Sequence, residues 1–68
     1  MERIVIGVTG MRCQACVKSV SAVLEALPGV EQVEVALEAG EASITYDPSL
    51  ATGADFRGAI EDAGFDTH

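Results

Sequence analysis

The apolar side chains of this 68-residue chain switch repeatedly between a period of two and helical spacing, and the order of those blocks constrains the fold more than any single motif. Ile4, Ile6 and Val8 alternate with Val5 and Gly7, the signal of a strand with one buried face. Cys16, Val20, Leu24 and Leu27 then recur at spacings of four, four and three, with Val17 and Val23 widening the stripe. That spacing predicts a helix ending at Pro28-Gly29. Val33, Val35 and Leu37 alternate again, Glu38-Ala39-Gly40-Glu41 reads as a turn, and Ala42, Ile44 and Tyr46 alternate up to Asp47-Pro48, which predicts a hairpin. Thr52 and Asp55 offer a capping box with Asp in place of the usual Glu, and Phe56, Ile60 and Ala63 follow helical spacing to a Gly64 C-cap. Phe65 to His68 is left as a short last strand.

The order is βαββαβ, and residues 1–68 read as one domain. The fold class is α+β, the split βαβ or ferredoxin-like arrangement, with two helices on one face of a four-stranded antiparallel sheet. A chain this short buries only about 60% of its unfolded surface. It leaves no room for an enzyme's separate substrate pocket. With 49% hydrophobic residues the chain is expected to be globular despite a formal net charge of −7. That acidity argues against nucleic acid or an anionic membrane as partner. No apolar stretch approaches the roughly 20 residues of a membrane span, and the N-terminus lacks a signal peptide's order of features. The expectation is a cytoplasmic protein without direct membrane insertion, in a compartment that keeps thiols reduced.

Two cysteines, Cys13 and Cys16, sit between the first predicted strand and the first predicted helix. A Cys-x-x-Cys at a helix mouth puts one sulfur in the loop and the other in the first turn, close enough to grip one ion or to close a disulfide. Soft thiolates select Cu(I), Zn(II) and similar ions. Zinc wants four ligands, and the chain offers two cysteines and one histidine, His68, at its very end. Cu(I), Ag(I) and Hg(II) accept two thiolates in a near-linear arrangement. Such a low coordination number leaves the ion open to a third thiolate, which suits handing it on.

Local charge points the same way. Between Ile4 and Leu24 there is no acidic residue, and Arg12 and Lys18 give that stretch a charge of +2, leaving −9 for the rest. Cationic neighbours and a helix N-terminus both favour the thiolate, the form that binds metal. Arg12 and Lys18 read either as solvated surface or as docking residues, Met11 as core filler, and His68 as a terminal residue without a role.

The run Gly10-Met11-Arg12-Cys13-Gln14-Ala15-Cys16, continued by Val17-Lys18-Ser19-Val20, Leu27-Pro28-Gly29-Val30, Tyr46-Asp47-Pro48 and Ile60-Glu61-Asp62-Ala63-Gly64-Phe65, resembles the heavy-metal-associated domain family. That family comprises small copper chaperones, the N-terminal metal-binding domains of copper-transporting P-type ATPases, and the mercuric-ion carrier. The resemblance implies Cys13 and Cys16 as metal ligands, Met11 as a buried support of the loop, and Phe65 as a neighbour of the site. The chain departs from the family pattern at Arg12, where Thr is usual, and at Ala15, where some bacterial chaperones offer a His. Phe at position 65 is frequent in ATPase domains, whereas the basic stretch and the length fit a chaperone. The implied function is a Cu(I) chaperone, a monomer or a copper-bridged dimer, that delivers its ion to the metal-binding domain of a P-type ATPase. The alternatives are an excised ATPase domain, a mercuric-ion carrier, and, from another class, a thiol–disulfide oxidoreductase.

Overall fold

The sheet is built around β1 (Glu2–Thr9), which carries the thiol loop at its C-terminal end. β1 pairs antiparallel with β3 (Glu41–Tyr46), from Glu2 opposite Tyr46 to Gly7 opposite Glu41. On its other side Val8 and Thr9 pair with β4 (Asp66–Thr67). β2 (Val30–Ala36) takes the far edge of β3, so the strand order is β2-β3-β1-β4 and every pairing is antiparallel. The helices are α1 (Gln14–Glu25) and α2 (Gly53–Asp62), and the element order is βαββαβ. This computed structural model describes residues 1–67; His68, expected to close the last strand and to have no role, lies outside them.

Alternation and register together put one set of strand side chains against the helices. Ile4 faces Ile44 and Ile6 faces Ala42 on one side of the sheet, while Val5, opposite Ser43, is exposed on the other. The inner face closes over Val20 and Leu24 from α1 and Phe56 and Ile60 from α2, all fully buried. Tyr46 and Phe56 meet edge to face with ring centroids 4.8 Å apart, a favourable aromatic geometry. The fold is the expected ferredoxin-like α+β layer pair.

Several boundaries differ from the sequence reading. α1 stops at Glu25 with Ala26 as its C-cap, because Pro28 disfavours a helical conformation at Leu27 and Gly29 leaves with φ of +83°. β2 begins at Val30, with a register shift between Val30 and Gln32, and Leu37 falls in the turn rather than the strand. Gly40, with φ of +64°, donates its N–H to the Ala36 carbonyl at 2.9 Å and closes that turn, so that Glu41 opens β3. The last strand is only Asp66–Thr67, and Phe65 precedes it. Its N–H is already engaged by the end of α2, where Phe65 donates to Ile60 O at 3.2 Å and Gly64 to Glu61 O at 3.0 Å. With Gly64 at φ of +96°, that is a Schellman termination.

The capping box appears as read. Asp55 N–H donates to Thr52 Oγ1 at 3.4 Å, and Thr52 N–H donates to Asp55 Oδ2 at 3.0 Å.

Candidate metal centre

The loop between β1 and α1 owes its shape to Gly10 and Cys13. Gly10 turns the chain out of the strand with φ of +96°, a conformation that side-chain-bearing residues avoid. Cys13 is then the N-cap of α1, in extended conformation, and its carbonyl accepts the first helical bonds from Cys16 at 3.1 Å and Val17 at 3.2 Å. The Cys13 side chain makes no cap hydrogen bond among the described residues, and the first turn carries no acid. The N–H groups at its mouth are therefore available to a sulfur anion.

Cys13 Sγ and Cys16 Sγ lie 3.3 Å apart in a thiol hydrogen bond, both free, the first exposed and the second half-buried. The Cys16 thiol is held below its ordinary range. The backbone N–H of Arg12 contributes most, followed by the hydrogen bond with the Cys13 thiol; desolvation opposes them, and the N–H groups of Cys13 and Cys16 add smaller contributions. Each favours the thiolate by hydrogen bonding to it, or disfavours it by removing water.

Around the pair, Met11 is half-buried and packs against the core, while Arg12, Gln14, Ala15 and Lys18 are exposed. Phe65, also packed against the core, reaches across from the end of α2. Its Cδ1 lies 3.5 Å from where a β-carbon would stand on Gly10, so the ring rests on the base of the thiol loop. Thr9 Oγ1 donates to Asp66 O at 3.4 Å and ties β4 to the same place. Among the described residues no group of three or more His, Cys, Asp or Glu converges on a point.

The structure thus brings Cys13 and Cys16 together, with Met11 beneath and Phe65 beside the loop. Two contributors were missed from the sequence: Gly10, whose position just past an alternating run was a turn signal, and the backbone N–H of Arg12, to which sequence offers no guide. Chemically, two adjacent thiols with one stabilised as thiolate can ligate a soft ion or exchange with another thiol.

The heavy-metal-associated domain model matches residues 5–66, and the chain belongs to that family. It is 42% identical over 66 residues to "Copper chaperone CopZ" of Bacillus subtilis, covering 97% of this chain and 96% of that protein. It is also 42% identical over 65 residues to "Copper-transporting ATPase 1" of Rattus norvegicus, covering 96% of this chain but only 4% of that ATPase. The solved copper binding domain from HMA7, a P-type ATPase, superposes with a TM-score of 0.97 at 44% identity, covering 100% of this chain and 92% of that one.

Proposed function

We propose that residues 1–68 form one non-catalytic heavy-metal-associated domain that binds Cu(I) through Cys13 and Cys16 and passes it on by thiolate exchange. The observation that carries the reading is the 3.3 Å separation of two free sulfurs at an uncapped helix N-terminus. Likeness to a copper chaperone and to copper-ATPase domains supports copper as the ion. A linear two-sulfur bridge needs the sulfurs about 4.6 Å apart, twice the roughly 2.3 Å of a zinc–thiolate bond taken as a guide. Opening by about 1 Å falls to Cys13, which lies outside the helix, while Cys16 stays on it.

In transfer, a thiolate of the acceptor attacks the ion and makes it three-coordinate. The exposed Cys13 sulfur then leaves, a second acceptor sulfur binds, and Cys16 departs last. The ion stays monovalent throughout, and the thiolates are exchanged one for one. The preferred assignment is a cytoplasmic chaperone, monomeric when free of copper, that delivers to the metal-binding domain of a copper-transporting P-type ATPase. Among the described residues no helix is long and apolar enough to cross a membrane. The second reading, an N-terminal domain of such an ATPase, is favoured by equal identity to an ATPase segment and uses the same two ligands.

Transfer requires the two thiol loops to face each other, so Arg12 and Lys18 approach the acceptor and the acidic bulk turns away. The test mixes Cu(I)-loaded protein with the acceptor domain and follows the rate. Lys18→Glu and added salt should both slow transfer, since rim charges act mainly on encounter, while Cu(I) affinity changes by no more than a few-fold. Failure to transfer at all would overturn the chaperone assignment. Transfer indifferent to both changes would overturn the electrostatic docking.

A further inference from the structure

The formal charges that flank the thiols along the chain are both positive. Arg12 immediately precedes Cys13, Lys18 follows Cys16 by two residues, and no Asp or Glu occurs between Ile4 and Leu24. Both side chains are exposed. Across the fold, the acid nearest the end of β1 along the sheet is Asp66, paired with Thr9, while Glu61 is engaged by the Thr67 hydroxyl at 3.1 Å.

Two thiolates carry two negative charges. Loaded with a monovalent ion the site keeps a net charge of −1; loaded with a divalent ion it is neutral. A fixed cation beside it therefore stabilises the first complex and leaves the second nearly unaffected. We propose that Arg12, with Lys18 in support, is a selectivity residue that tilts this thiol pair toward monovalent over divalent soft ions. The inference rests on Cys13 and Cys16 being the ligands. It needs no contact between the guanidinium and the ion. Adjacency in the chain keeps the guanidinium within roughly 12 Å of the Cys13 sulfur, a range over which a unit charge acts through water at low salt.

Ag(I) and Hg(II) isolate the effect, because both are closed-shell ions that accept two sulfurs in line and differ by one unit of charge. The ratio of their affinities also cancels the metal-free state. Each ion is buffered with a small dithiol chelator, and the loaded fraction is counted by native mass spectrometry. Arg12→Gln should lower the Ag(I) to Hg(II) affinity ratio about twofold at low salt, and Arg12→Gln with Lys18→Gln about threefold, as expected for unit charges acting through water. Arg12→Lys should keep the ratio, and in wild-type protein it should fall toward that of the double variant at molar salt, where the screening length is about 3 Å.

An unchanged ratio in the double variant, or a loss in Arg12→Lys equal to that in Arg12→Gln, would overturn the proposal while leaving the ligand assignment intact. Absence of thiol-dependent binding of either ion would overturn the ligand assignment, and the selectivity role with it. Circular dichroism of each variant checks that the fold is kept.

Discussion

Gly10 and Phe65 meet across the base of the thiol loop, with the Phe65 ring 3.5 Å from the place a β-carbon would occupy on Gly10. The contact joins the loop that bears the cysteines to the Schellman turn that ends α2. Phe65→Ala should destabilise the protein by about 2 kcal/mol, below the usual range for a fully buried Phe because this ring is half-exposed. It should also speed removal of bound metal by an external chelator, since the ring packs on the base of the loop that bears the thiols. Urea unfolding and chelator kinetics measure the two effects. A wild-type chelation rate would show that Phe65 serves the core alone.

Glycines at two positions should respond in opposite directions to the same change. At Gly29, φ is +83° and a β-carbon would stand 2.6 Å from Leu50 Cβ. Gly29→Ala should therefore cost about 2 kcal/mol or more, from left-handed strain together with overpacking. Gly58 lies within α2 and an added β-carbon there meets nothing within 4 Å among the described residues. Gly58→Ala should stabilise by about 0.5–1 kcal/mol through helix propensity. Thermal and urea melts of the two variants decide both.

The capping box is a third site whose energetics can be read directly. Thr52→Ala leaves the Asp55 N–H without its side-chain acceptor and should cost about 1 kcal/mol. Because the box lies on α2, away from the cysteines in sequence, the variant should bind Cu(I) as the wild type does once allowance is made for the fraction folded. A change in metal affinity of the folded protein would tie α2 to the site more tightly than its contacts indicate.

The order of elements was legible in the sequence because period two and helical spacing are both well expressed at Ile4 to Val8, at Val20 to Leu24, and at Ala42 to Tyr46. The cysteines were legible too, since the two thiols of the sequence sit together at a strand-to-helix junction. Boundaries were less so. Leu37 continues the strand alternation yet lies in the turn, because Gly40 and its bond to Ala36 fix where the hairpin reverses. Phe65 continues into the last strand by sequence, but backbone bonds at the end of α2 claim it. The polarisation of Cys16 by the Arg12 N–H is a property of backbone direction, which residue identity does not encode.

That polarisation has a pH signature. The Cys16 thiol is lowered chiefly by the Arg12 backbone N–H, so its thiolate should form at lower pH in folded protein than in urea-unfolded protein. A thiol whose folded value is depressed adds stability that is present above its unfolded value and lost as pH falls through the folded one. Metal-free protein should therefore gain stability as pH rises across that window, and Cys16→Ser should not. Ultraviolet thiolate absorbance and urea midpoints against pH measure both. Arg12→Gln should keep most of the shift, since the main donor is the backbone; a shift lost with the side chain would contradict this origin.

The most direct test of the site is an anaerobic Cu(I) titration of reduced protein, followed by X-ray absorption of the loaded form. Soft thiolate ligation by Cys13 and Cys16 predicts one Cu(I) per monomer, or one shared between two, with only sulfur neighbours, two or three in number. Thiol alkylation, or Cys13→Ser with Cys16→Ser, should abolish it. Tight Cu(I) binding retained after both substitutions, or a first shell dominated by nitrogen or oxygen, would contradict the assignment.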